Sequence, residues 1–345
     1  MQASYGSIAT MECHFRTKIG EEGCKALGKS LKTNCTITKI SLSSNGIGDE
    51  GSKAIAAALT TNRTLREIDL ESNNIADEGC KALGDALATN RTLREIDLES
   101  NNIADEGCKA FAEALQINNA ITKIILLRNR IGDEGSKALG RALKINCTIT
   151  TVDLGMNHIS DVGGKALADA LATNCTLTDI NLASNGITDE GCKALADALV
   201  TNCTLTDINL ASNLMADEGC KAFAEALKSN ASIESLRLER NRIGADGIKA
   251  LADALQINCA ISYISLQSQP FGDDGYKALE GMSHFNRAVE WKSTDDKAFI
   301  EISLGPCDVC LKLCLLPLLS VCSCLLATAK RFTSSCDRHL TAAAA

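Results

Sequence analysis

The chain has 345 residues, 45% of them apolar and only 3% aromatic, with 17 cysteines and a formal net charge of −8. That apolar content can bury a large core, and the acidic balance argues against nucleic acid as a partner, since such proteins present a basic footprint. Residues 286–345 are near neutral, so the acidity belongs to what precedes them.

In chain order, residues 1–16 hold no apolar run of the kind a secretory signal needs, so a cytoplasmic protein is expected. Met11 to Phe15 reads as a worn first strand, and Ile19, Gly23, Ala26, Leu27 and Leu31 as the apolar stripe of a first helix. Residues 1–36 are therefore an N-terminal cap and half unit. From residue 37 one pattern recurs. Asparagine stands at Asn45, Asn73, Asn101, Asn129, Asn157, Asn185, Asn213 and Asn241, a constant step of 28 residues, and Gln269 takes the ninth slot. Leu42 to Leu266 and Gly51 to Gly275 keep the same step. Residues 37–285 are thus an array of about nine units.

Within one unit, the alternation of Ile180 and Leu182 has the period of a strand, predicted near residues 179–182. Ala194, Leu195, Ala198 and Leu199 then form one stripe of a helix over 189–199. Asp189 and Glu190 open this helix and favour its positive end, and Asn202 suits a left-handed residue that ends it. A lone unit cannot cover its stripe, so neighbours must stack as a parallel sheet backed by helices. Strands lie about 4.8 Å apart and helices roughly 8–10 Å, which bends the stack with the strands inside. The recurrent asparagine, a donor and an acceptor, would satisfy the backbone where the chain leaves each strand.

The run Leu177-x-x-Ile180-x-Leu182-x-x-Asn185-x-Ile187, followed by Gly191-x-x-x-Leu195-x-x-x-Leu199, resembles the leucine-rich repeat of the ribonuclease-inhibitor type. The resemblance covers about four fifths of the chain and implies an α/β fold: a curved right-handed solenoid, or horseshoe, with its sheet concave and its helices convex. It also implies a macromolecular partner on the concave side. Ran GTPase-activating protein and the sensor arrays of NOD-like receptors share this repeat, so GTPase activation and sensing are alternative expectations. The acidic tail of the former and the nucleotide-binding module of the latter have no counterpart in this sequence.

Beyond the array, Asn286 and Val289 keep register while Lys292 and Thr294 fall on core slots, so residues 286–304 read as a degenerate C-terminal cap. Residues 305–345 are a Cys-rich apolar tail, with Cys307, Cys310 and Cys314 ahead of an uncharged run over 313–329. A membrane-associated or thioacylated anchor, a disordered or mispredicted coding end, and a metal site compete there.

Eleven cysteines precede residue 286. Cys24, Cys80, Cys108, Cys192 and Cys220 follow the glycine of the helix start, and Cys35, Cys147, Cys175, Cys203 and Cys259 follow its terminal asparagine. Neighbours at helical spacing lie beyond the roughly 7 Å that a disulfide spans, so unpaired apolar fillers are expected. Seven Asn-x-Ser/Thr sequons, at Asn34, Asn62, Asn90, Asn146, Asn174, Asn202 and Asn230, occupy one slot and read as helix endings rather than glycosylation sites.

Catalysis has no constellation to stand on. His14, His158, His284 and His339 fall in unrelated places, and Gly46 to Lys53 imitates a phosphate loop with its Lys and Ser inverted. No enzyme activity, cofactor or metal is expected. Information lies instead where the repeats differ on the concave face. Glu67, Asp69, Glu71, Glu95, Asp97 and Glu99 stack as six acids on two neighbouring strands, where mutual repulsion would favour a partner with a basic patch. Ile125, Leu127 and Met156 follow as an exposed apolar centre with Arg128 beside it, and Arg237, Arg240 and Tyr263 come further on. A protein-binding scaffold is the reading.

Overall fold

Leucine and isoleucine at alternate positions decide how each unit folds. In β3 (Glu67–Asp69), Ile68 is buried and its neighbours are half-exposed, and every strand from β3 to β8 repeats that pattern. The computed structural model describes residues 9–12, 18–280, 292–294, 297–299 and 301–303. Strands β1 (Ala9–Glu12), β2 (Ile37–Ser41), β3, β4 (Glu95–Asp97), β5 (Lys123–Ile125), β6 (Thr151–Asp153), β7 (Asp179–Asn181), β8 (Asp207–Asn209), β9 (Ser235–Arg237) and β10 (Tyr263–Ser265) lie side by side in chain order, all parallel. From β2 onward the pairing register is the 28-residue step itself, as in Lys39 with Glu67 and Glu67 with Glu95.

Helices alternate with these strands: α1 (Gly20–Thr33), α2 (Gly48–Leu59), α3 (Asp77–Leu87), α4 (Asp105–Leu115), α5 (Asp133–Ile145), α6 (Asp161–Leu171), α7 (Asp189–Thr201), α8 (Asp217–Leu227), α9 (Ala245–Leu255) and α10 (Gly272–Glu280). Leu83 and Leu87 of α3 meet Ile68, Leu70 and Ile75 in one continuous core, each at most 2% exposed. The result is an open α/β solenoid, as the periodicity implies.

The asparagine ladder forms as expected. Asn101 donates through Nδ2 to the carbonyls of Leu70, Leu98 and Glu99 at 3.0 Å, and its Oδ1 accepts from the N–H groups of Asn73 (3.1 Å) and Ile75 (2.9 Å). Gln269 reproduces both roles, accepting from Ile243 and donating to the Leu238 carbonyl. The Asn73, Asn101, Asn129, Asn157, Asn213 and Asn241 amides are buried, so their bonds avoid the penalty of an orphaned backbone polar atom.

Three expectations need correction. Asn202 is extended (φ −75°, ψ 131°), not left-handed. Its side chain ends the helix differently, donating to the carbonyls of Leu171 and Asn174 in the previous unit and accepting from Thr204 and Leu205. Asn62, Asn90, Asn146, Asn174, Asn202 and Asn230 are all buried in this second ladder, which gives the sequon slot a structural reason. The cysteines also divide: Cys24, Cys80, Cys108, Cys192 and Cys220 are buried, whereas Cys35, Cys147, Cys175 and Cys203 are exposed. Cys259 is disulfide-bonded, against the expectation of unpaired thiols. The spacing argument concerned neighbours in adjacent units, and in this slot the preceding unit carries Ala231.

At the far end, β11 (Lys292–Thr294) does not continue the sheet. It pairs with β12 (Lys297–Phe299) in a separate antiparallel ribbon, and β13 (Glu301–Ser303) takes the eleventh place, antiparallel to β10. The apolar run 313–329 and the cysteines of the tail lie outside the described residues. Among the described residues, no helix is long and apolar enough to cross a membrane, and no group of His, Cys, Asp and Glu could hold a metal ion.

Candidate protein-binding face

The helices cover one face of the sheet and leave the other open, so the side chains between core positions stand in rows one strand apart. The first row begins Lys39, Glu67, Glu95 and Lys123. Lys39 pairs with Glu67 at 2.8 Å and Lys123 with Glu95 at 3.8 Å, so two of the six acids are neutralised from the flanks. Sequence reasoning passed over Lys39, although it stands one step of 28 before Glu67.

The second and third rows keep their repulsion. Asp69 faces Asp97 in register, and Glu71 and Glu99 lie just beyond them. Burial, then Asp69 and Glu71, push the Asp97 carboxyl up to about 6, against the opposing pull of the Glu99 N–H and Lys123. Glu99 is also raised, first by burial and then by Glu71, Asp97 and Asp153, while Arg128 opposes. Asp69 finds partial relief in the Ser41 hydroxyl at 2.6 Å. A depression of about 220 Å³ opens among these side chains, lined by Lys39, Glu67, Asp69, Glu95, Asp97, Lys123 and Ile125.

Ile125 and Leu127 continue the rows but are half-buried rather than fully exposed. Leu127 leans over Gly155 of the next unit, where an added Cβ would lie 2.8 Å from its Cδ1. Met156 is 43% exposed and Arg128 is exposed beside it, both in the left-handed region (φ 52° and 55°). Acids, apolar centre and Arg128 are therefore contiguous on β3 to β6 and the loops that follow. Arg237, Arg240 and Tyr263 form a separate patch, three strand spacings or roughly 14 Å past β6. There the Arg237 guanidinium stands 5.7 Å from the Tyr263 ring centre.

The aspartates that open the helices play a part not foreseen. Asp49, Asp77, Asp105, Asp133, Asp161, Asp189 and Asp217 do not merely sit at their own helix start: each Oδ1 accepts two backbone N–H groups from the start of the next helix. They are structural caps, which accounts for their repetition.

A family model described as the TMOD/LMOD leucine-rich domain matches residues 16–124, and a leucine-rich-repeat model matches residues 146–168, 173–196, 201–224 and 229–252. The chain is a leucine-rich-repeat protein. No curated protein matches it. Among solved structures, this leucine-rich-repeat protein is similar to Leiomodin-1 Actin-Binding Site 2, at 28% identity over 38% of this chain and 75% of that one, with a TM-score of 0.33.

Proposed function

We propose that this leucine-rich-repeat protein is a non-enzymatic scaffold that binds a protein partner across β3 to β6 on the open face. The observation that carries this reading is the contiguity of an acidic block with an apolar centre. Asp69, Glu71, Asp97 and Glu99 are held together at an electrostatic cost, which a cationic partner would relieve. Ile125, Leu127 and Met156 lie next to them as apolar anchors. The partner chemistry that fits is a basic rim around an apolar knob.

The test is affinity capture with the full chain, comparing wild type with two variants, each with its melting recorded and captured at a temperature where it is folded: Glu95→Lys with Asp97→Lys, and Ile125→Ala with Leu127→Ala. Actin, named for the leiomodin segment, serves as one defined probe beside a cell lysate analysed by mass spectrometry. A protein retained by wild type and depleted by both variants supports the reading. If every retained protein is insensitive to both variants, but is lost on substitution of the helical surface, the open-face site is wrong.

A further inference from the structure

The slot just before each ladder amide, eight asparagines and Gln269, is left-handed in all nine units, with φ between 52° and 58°. That conformation costs any residue other than glycine. Serine fills it six times and can recover part of the cost locally, as the Ser72 hydroxyl does with Glu71 at 3.4 Å. Arg128, Met156 and Arg240 fill it three times, and their long side chains project outward from a strained position.

Two of these belong to the same five-residue run. Arg128-Asn129-Arg130-Ile131-Gly132 and Arg240-Asn241-Arg242-Ile243-Gly244 stand four units apart. In each, the asparagine is buried and both arginines are exposed, one on either side of it. The backbone of both forks is pinned: Arg128 N–H to Gly155 O and Arg130 N–H to Ile103 O at 2.8 Å, Arg240 N–H to Gln267 O at 2.8 Å and Arg242 N–H to Met215 O at 2.7 Å. Each ion pair among the described residues uses a lysine, and none involves these four guanidinium groups. Two arginine forks, held through their backbone and outside any ion pair among the described residues, are thus built into one edge of an acidic protein. Each guanidinium group can match one carboxylate in a bidentate geometry.

We propose that this strand-exit rim binds an extended acidic segment of a protein partner, with carboxylates at both ends and an apolar residue between. The rim keeps the spacing of the sheet, because the N–H of each slot residue bonds to the next unit, as Met156 does to Ala183 at 2.7 Å. Four strand spacings separate the forks by about 19 Å, which an extended chain covers in roughly six residues. Between the forks the rim exposes Met156 and Leu214, at 43% and 38%, as apolar contacts for the middle of such a segment. This surface lies along the strand ends and shares Arg128 and Met156 with the face proposed above, but its two arginine forks are a separate feature that can be reversed without touching the acids.

The experiment is a fluorescence-anisotropy titration of the full chain with two labelled synthetic peptides of identical composition. One carries two Glu-Glu pairs about six residues apart with leucine between, and the other carries the four glutamates together. The spaced peptide is expected to bind at least about tenfold more tightly, and Arg128→Glu with Arg130→Glu, or Arg240→Glu with Arg242→Glu, to weaken it by about tenfold each. Glu95→Lys with Asp97→Lys should not weaken it. If a reversal pair lowers the melting temperature, the corresponding Arg→Gln pair is read instead. Equal binding of the two peptides, or wild-type affinity in either fork variant, overturns the proposal.

Discussion

The carboxylate of Asp161 holds the helix of the following unit, its Oδ1 accepting the Gly191 N–H at 2.9 Å across a separation of 30 residues. The same oxygen accepts from Thr188 N–H at 2.7 Å, and Oδ2 accepts the Thr188 hydroxyl at 2.7 Å. Capping is thus delegated from each unit to its neighbour, so local helix stability and the stacking of units are one interaction.

Asp161→Ala is therefore expected to cost about 1 to 2 kcal/mol, felt in α7 rather than in α6. Hydrogen exchange should show faster exchange at the start of α7, and Asp161→Asn should keep part of the protection. Burial pushes the Asp161 carboxyl up, but the Thr188 hydroxyl and the N–H groups of Thr188 and Gly191 outweigh it and hold it below its usual 3.8. With the folded value depressed, the contribution is present above pH 3.8 and is lost as pH falls below it. Unchanged exchange in α7 would disprove the capping role.

This device shows what a sequence pattern discloses and what it hides. Strand, helix and register were legible because apolar periodicity is a local property: the step from Leu154 to Leu182 states which residues stack. The ladder of Asn73 and Asn101 was legible because an inward amide must satisfy backbone groups. The partner of Asp161 was not, since a carboxylate at a helix start looks the same whether it serves its own helix or the next. On the open face the acids could be placed by register, but their inequality could not. Glu67 and Glu95 are neutralised by lysines from outside the block, and Asp97 is left to share a half-buried site with Asp69 and Glu71. The half-burial of Leu127 follows from a glycine in the next unit.

The division of the cysteines has a direct chemical readout. Burial first, and nearby aspartates next, push the thiols of Cys80, Cys192 and Cys220 well up, and Cys108 likewise, by burial and then by Cys80, Asp105 and Asp77. Thiolate is the reacting form, so native protein treated with a maleimide should be labelled first at Cys35 and Cys175, which are exposed. Cys80, Cys108, Cys192 and Cys220 should be labelled only after unfolding. Peptide mapping by mass spectrometry decides the matter, and rapid native labelling of Cys80 or Cys108 would contradict the core assignment.

Asp97 provides a test in the opposite pH direction. Its folded value is raised from 3.8 to about 6, so its protonated form is favoured by folding. The associated stability is fully present below pH 3.8 and is lost as pH rises through about 6. Asp97→Asn keeps an acceptor for the Glu99 N–H, now at 2.8 Å, and removes the charge. The variant should melt at a higher temperature than wild type at pH 7.5 and at about the same temperature at pH 4. A variant less stable than wild type at pH 7.5 would mean that the carboxylate is held by attraction rather than against repulsion.

The acids and the apolar anchors should be separable by salt once a partner is in hand. Exposed charges act over a Debye length of about 8 Å at physiological ionic strength, so their main effect is on encounter. Glu95→Lys with Asp97→Lys should lower the association rate by about tenfold in dilute buffer and much less at high salt. Ile125→Ala with Leu127→Ala acts after encounter, so it should speed dissociation by a factor that salt hardly changes. Leu127 also packs over Gly155, so its truncation loosens the free protein, and melting must be recorded beside binding. Surface plasmon resonance at two ionic strengths measures both rates. An acid variant whose loss is independent of salt would show that Glu95 and Asp97 make short-range contacts, and an anchor variant that slows only association would remove Ile125 and Leu127 from the interface centre.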